Sequence, residues 1–297
     1  MGLCIEWSRR YLCLVAVALI LAGCGDQLQQ ALPVCPGKES AAAALSVFRK
    51  RVNDAVPLRA NGRCLLEYEE DGKPRQEQFP VKLWWNPPGE IYLQGDIAFD
   101  PRAVVLGANK DEFWLAIRLE EVSSYWWGRW TEAGSLNKLL IDPKVILEGL
   151  GIPAVGGQGS ADWTFTKDGA FDVLTQASDQ ASLAKRIYVY SCDYLIRKIE
   201  YLDVYGQPAV TAEMDEYEQI DERWAAPRTI KIIRNAPRPA ESATITLNLT
   251  SVKSMAFTNR LREHLFRLPE AKGFKHRYRV IGGNIIEEPP EPEEAKS

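Results

Sequence analysis

Arg63-Cys64-Leu65-Leu66-Glu67-Tyr68, followed by Asp71-Gly72 and by Gln76 to Trp85, is the stretch on which the fold turns. From Leu58 onward the pattern has a period of two, which is that of a strand. Asp71-Gly72 suits the positive φ angles of a tight hairpin turn. Asn86-Pro87-Pro88-Gly89 is a second turn, built from the two strongest chain punctuators. Glu90 to Gly95 then reads as a third strand, with Ile91 and Leu93 on one face. Val104 to Gly107 and Glu112 to Arg118 make a further hairpin around Asn109-Lys110-Asp111, with Phe113, Leu115 and Ile117 alternating. Together these segments predict an antiparallel meander.

Upstream, Glu39 to Val56 reads as an amphipathic helix. Leu45, Phe48, Val52 and Val56 recur at helical spacing, Ser40 is the expected N-cap and Pro57 the stop. Downstream, Tyr125-Trp126-Trp127-Gly128-Arg129-Trp130 interrupts the rhythm. Asp142 (N-cap), Pro143, Val145, Ile146, Leu147 and Leu150 predict a second helix ending at Gly151, and Gly156 to Ser160 a joint. Strands resume at Asp162 to Thr166, Ala170 to Thr175, Arg186 to Tyr190, Leu195 to Asp203, Ala209 to Tyr217, Pro227 to Arg234 and Thr244 to Thr250. Asn259 to Phe266 is one helical turn or two. The acidic, Pro-rich end from Glu287 to Glu294 lacks the apolar residues that order requires. About eleven or twelve strands result, and a sheet of more than about ten strands curls or splits. The expected fold is mainly β with a few helices: one large curved antiparallel sheet, an unclosed half-barrel with helices covering its concave mouth. A two-sheet sandwich is the competing arrangement.

The order helix, meander, helix, meander resembles the LolA/LolB-like family of lipoprotein carriers. The resembling parts are Leu58-Arg59-Ala60-Asn61-Gly62-Arg63 through Trp84-Trp85-Asn86-Pro87-Pro88-Gly89-Glu90-Ile91-Tyr92-Leu93, then Tyr188 to Gly206, then Leu247 to Phe266 with Leu268-Pro269. The likeness spans most of residues 40–275. It implies an unclosed barrel whose concave face and helical lid enclose an apolar cavity for acyl chains. The Trp-rich segment and the acidic tail depart from the family pattern.

The beginning of the chain supplies an address. Arg9 and Arg10 give a basic end, Tyr11 to Ala22 an apolar run, and Gly23-Cys24 closes it. This is a secretory signal, since a dozen apolar residues fall short of the roughly 20 that span a bilayer. Leu21-Ala22-Gly23-Cys24 resembles the bacterial lipobox, which implies acylation of Cys24. Ser8-Arg9-Arg10 also loosely resembles a twin-arginine signal, although paired arginines are common in such basic ends. The domain reading is therefore signal peptide 1–23, tether 24–38, half-barrel domain 39–282 and acidic disordered tail 283–297. Gly25 after the cysteine resembles the sorting rule for an outer-membrane destination. The expected location is the bacterial envelope, lipid-anchored in the outer membrane and facing the periplasm.

The formal net charge is -4. Loss of Glu6, Arg9 and Arg10 with the signal removes +1 and leaves -5. No basic face suggests nucleic acid. Once Cys4 and Cys13 leave and Cys24 carries lipid, Cys35, Cys64 and Cys192 remain. One disulfide plus a thiol, or three thiols, are both open.

Catalytic chemistry has little support. The sequence holds no Gly-x-Ser-x-Gly elbow and no His-Glu-x-x-His, and no metal or cofactor is expected. His264 and His276 sit in a basic segment and read as surface residues. Binding has better grounds. Ile91, Leu93, Phe113, Leu115, Ile117, Ile187, Val189, Ile230 and Ile232 give several strands one apolar face, a candidate cavity lining or a filled core. Such a cavity would hold acyl chains because each buried methylene is worth about 0.8 kcal/mol. Tyr125, Trp126, Trp127 and Trp130 are the candidate interface loop, because Trp and Tyr favour surfaces half apolar and half wet. The expected function is non-enzymatic binding of a lipid, an acylated protein or another apolar ligand. The alternative is a structural or sensing lipoprotein that docks an envelope protein partner.

Overall fold

The computed structural model describes residues 32–70, 72–97, 100–120, 122–133, 143–152, 163–177, 184–235 and 242–289. Cys24, the Asp142 cap, the Gly156 to Ser160 joint and the tail from residue 290 lie outside them.

Helix α1 (Ala41–Asp54) begins as expected. Ser40 is extended, and its hydroxyl accepts a hydrogen bond from the Ala43 N–H at 3.2 Å. This satisfies one of the four N–H groups that a helix start leaves without partners. The helix buries Ala44, Leu45 and Phe48.

The meander follows as β1 (Leu58–Glu70), β2 (Lys73–Asn86), β3 (Glu90–Ile97), β4 (Asp100–Ala108), β5 (Glu112–Ile117) and β6 (Ser124–Arg129). Two short helices come next, α2 (Trp130–Ala133) and α3 (Pro143–Gly149). The second run of strands is β7 (Trp163–Asp168), β8 (Phe171–Gln176), β9 (Lys185–Tyr190), β10 (Ile196–Leu202) and β11 (Pro208–Asp215). A small ribbon of β12 (Glu218–Gln219) and β13 (Ala225–Ala226) precedes β14 (Thr229–Arg234) and β15 (Ala243–Ser254). Helix α4 (Asn259–Phe266), β16 (His276–Ile281) and β17 (Asn284–Glu288) close the described chain.

Among the described residues fifteen strands form one sheet in the order β17-β16-β6-β5-β4-β3-β2-β1-β15-β14-β11-β10-β9-β8-β7. The pairings are antiparallel except that β16 runs parallel to β6. In this order β4 and β11 are six steps apart, roughly 29 Å in a flat sheet at about 4.8 Å per strand. Yet α3 packs against β4 as well as against β11 and β14, and one apolar cluster takes in side chains from both runs. The sheet therefore curls around α1 and α3, and its end strands β17 and β7 do not pair to close it. It is an open barrel, not a sandwich.

The outer side of β3 to β6 is covered too. Val105, Trp114, Ala116 and Tyr125 form a second cluster with Phe274 of the C-terminal segment. Arg262 on α4 holds both carboxylate oxygens of Glu90 at 2.9 Å, and the Asn109 side chain donates to the Phe266 carbonyl at 2.9 Å. Gly107 faces Trp114 across the strands, and a Cβ there would lie 2.2 Å from the indole. Only glycine lets this ring lie flat on the sheet.

Three expectations change. The aromatic run is no loop. Tyr125 to Arg129 is strand β6, and alternation sends Trp126 to the inner cluster and Tyr125 and Trp127 to the outer one. Tyr125 is 2% exposed and none of the four rings is fully exposed. The tether also ends earlier than Lys38. Cys35 is disulfide-bonded to Cys192, its N–H donates to the Ser191 hydroxyl at 3.1 Å, and the Lys38 N–H donates to Asp172 at 2.7 Å. Finally, the expected tail begins with ordered chain, since Asn284–Glu288 pairs with β16. The Glu287 carboxylate lies against His276 Nδ1 there, and the Glu288 carboxylate pairs with Arg277.

Candidate functional site

Directly paired residues of neighbouring strands share a face, so the register lays out the concave side in rows. One row runs through Leu174, Ile187, Ile199, Ala212, Ile232 and Ile245 on six successive strands. The other wall supplies Leu83, Leu93, Leu106, Leu115 and Trp126 in the same way. Helix α1 contributes Leu45 and Phe48 over this face, and α3 contributes Val145 and Ile146.

The face is filled. Ile91, Ile187, Val189 and Ile230 keep no accessible surface, and Leu93, Phe113, Leu115 and Ile232 keep at most 6%. Packing of these side chains against one another and against α1 and α3 leaves little of the face accessible. Each fully buried Ile, Leu or Phe stabilises the fold by about 1.5–3 kcal/mol.

One row departs from this apolar character. At the end of the sheet that carries the β10–β11 turn, Gln176, Lys185 and Tyr201 are cross-strand neighbours on β8, β9 and β10. Glu148, next to last in α3, reaches this row. The Lys185 ammonium donates to both its carboxylate oxygens at 3.1 and 3.2 Å, and the Tyr201 hydroxyl donates to one at 2.9 Å. Glu148 is 2% exposed and Lys185 4%. The Trp163 ring lies 5.8 Å from the ammonium, a cation–π distance. Burial pulls the Lys185 ammonium below its ordinary pKa, the Glu148 carboxylate opposes that fall, and Lys144 adds to it.

No protein-family model matches the sequence, and no curated protein matches it significantly. Solved structures do match. A putative outer membrane lipoprotein-sorting protein domain from Vibrio parahaemolyticus has a TM-score of 0.50 at 12% identity, covering 75% of this chain and 95% of its own. A DUF1329 family protein from Desulfovibrio piger has a TM-score of 0.50 at 10% identity, with 77% and 98% covered. The fold is LolA-like. A LolA superfamily protein from Nitrosomonas europaea lies just below, with a TM-score of 0.48 at 13% identity and 75% and 97% covered.

Within this LolA-like sheet, Ile91, Leu93, Phe113, Leu115, Ile187, Val189, Ile230 and Ile232 are brought into one cluster, with Ile117 at its margin. The aromatic residues are not brought together. Trp126 stacks on Tyr278 at 5.4 Å and Trp130 packs on Phe113 at 4.7 Å, while Trp127 donates to Glu288 on the outer side. His264 is exposed, and His276 Nδ1 lies 3.0 Å from a Glu287 carboxylate oxygen. Among the described residues no group of three or more His, Cys, Asp or Glu is placed to hold a metal ion. Sequence reasoning missed Glu148, Lys185 and Tyr201. The one available signal is that Glu148 follows Val145, Ile146 and Leu147 on a short apolar helix.

Proposed function

We propose that the chain is a bacterial envelope lipoprotein, acylated at Cys24 and held at the outer membrane facing the periplasm. On this reading it binds a lipid, an acylated protein or another apolar ligand and performs no chemistry of its own. The observation that carries it is the continuous apolar concave face, shared by both walls of an unclosed LolA-like sheet and covered by α1 and α3. Acyl chains need no directional partner, only apolar surface to leave water for. Because the face is filled, entry of a chain requires α1 or α3 to lift, and ligand takes over their apolar contacts. Native mass spectrometry of the full chain is the test. Bound acyl-chain species after isolation, or after addition of lipid, are expected; the absence of both would sink the reading.

A second reading, docking of an envelope protein partner, draws support from Val204 and Tyr205. These lie 91% and 85% exposed at the tip of the β10–β11 turn. Under this reading Val204→Ser with Tyr205→Ser abolishes partner capture and leaves lipid binding intact.

A further inference from the structure

The polar row on the concave face continues beyond Tyr201. Across the strands it passes through Val210 to Arg234, then through Ala243 to Tyr68, and ends at Arg75. The row thus carries Lys185, Arg234 and Arg75, with Lys144 of α3 close enough to act on Lys185. Among the described residues two carboxylates face it: Glu148, and the exposed Glu77, which accepts a hydrogen bond from the Tyr68 hydroxyl at 2.9 Å. One row deeper, apart from Glu77 opposite Leu66, the same strands present the apolar side chains of the core. An apolar bed ending in a cationic row complements a molecule with an acyl chain and an anionic head. The chain leaves water against the bed, and the head takes charge-assisted hydrogen bonds.

Glu148 already occupies the place of such a head. It is a carboxylate held by an ammonium on both oxygens and by a phenol on one, at 2.9–3.2 Å. A buried ion pair gains little over an apolar pair of the same volume. Stability alone therefore does not account for it, whereas an exchangeable anion does. We infer that Lys185 and Tyr201 form the head-group site for an anionic amphiphile, and that Glu148 is a resident carboxylate which the phosphate or carboxylate of the ligand displaces. Val145 and Ile146 ride on the same short helix, so displacing Glu148 also loosens their cover of the apolar rows. This inference rests on the proposed apolar-ligand binding at the same face.

The test is a native mass spectrometry titration of the full chain in a neutral non-ionic detergent. Palmitoyl lysophosphatidylglycerol and palmitoyl lysophosphatidylcholine share a chain and differ in head charge, and palmitate separates a carboxylate head from a phosphate. The anionic lysolipid is expected to bind about tenfold more tightly than the zwitterionic one, the worth of one charge-assisted hydrogen bond. Glu148→Gln should tighten the anionic lysolipid by about the same factor and leave the zwitterionic one unchanged. Lys185→Met should erase the preference, and the double variant Glu148→Leu with Lys185→Met covers the case in which the single one fails to fold. A preference for palmitate alone, or for the lysophosphatidylglycerol alone, supports the site and identifies the head. Equal binding of both lysolipids by the unmodified chain overturns it while apolar-ligand binding stands. An unchanged anionic affinity in Glu148→Gln also overturns it. If neither lysolipid binds, the apolar-ligand reading falls and takes this inference with it.

Discussion

Among the described residues two buried carboxylates, Asp172 and Glu148, face the inside of this sheet, and they are held in different ways. Asp172, 1% exposed, accepts the backbone N–H of Lys38 at 2.7 Å on a strap that the Cys35–Cys192 disulfide fixes in place. Gly37 packs against the same carboxylate at a φ of 66°, where a Cβ would lie 2.5 Å from it. Glu148, 2% exposed, is held among the described residues by the side chains of Lys185 and Tyr201, and it sits on a helix of seven residues. The first clamp is covalent and backbone-built, so it fixes the path of the chain into α1. The second consists of side-chain contacts that another anion could replace.

Breaking the second clamp from one side should have the largest effect. Lys185→Met leaves Glu148 buried without its ammonium and should cost about 3–5 kcal/mol, read as a shift in the urea midpoint. Replacing both partners, Glu148→Leu with Lys185→Met, should return most of that loss. If the double variant is as unstable as the single one, the contrast between the clamps fails. Removing the covalent clamp comes next. Cys192→Ser opens a loop of 157 residues and should cost about 2–4 kcal/mol in the same assay. Gly37→Ala should cost less, roughly 1–2 kcal/mol, because it forces a side chain into the left-handed region while the disulfide still holds. The smallest effect is expected at Cys64. Burial pushes its thiol up to about 12, so iodoacetamide at mildly alkaline pH should leave it unlabelled until the protein unfolds. Labelling of Cys64 in the native chain would show that its thiol is reached without unfolding.

Much of this architecture is legible in local pattern. Gly72 and Asn86 to Gly89 each mark a turn between paired strands. The alternation of Phe113, Leu115 and Ile117 picks out the inner face of β5. What escapes local pattern depends on what covers a strand. Trp126 and Trp127 read as a disruption because a strand exposed on one side would not carry bulky rings on both. The C-terminal segment buries the outer side of β3 to β6, so both sides of β6 are apolar. The Glu148–Lys185 pair is illegible for a related reason. A glutamate and a lysine 37 positions apart are ordinary surface residues until α3 is laid across β9 and β10. The partner of Cys35 is equally silent, because three cysteines allow several pairings and only the position of the β9–β10 turn selects one.

The disulfide has a mechanical consequence for the acylation proposed at Cys24. Counted from Cys24, the covalent constraint on the chain comes at Cys35, eleven residues on (35 minus 24), rather than at the start of α1 at Ala41. Fully extended, that stretch reaches about 36–40 Å, at roughly 3.3–3.6 Å per residue. The disulfide fixes that point of the chain, Cys35, at the β9–β10 turn. The β10–β11 turn, with Val204 and Tyr205 at its tip and the polar row beside it, lies at the other end of the same strands. A chain acylated at Cys24, as proposed, would therefore be tied down at the end of the strands opposite the polar row.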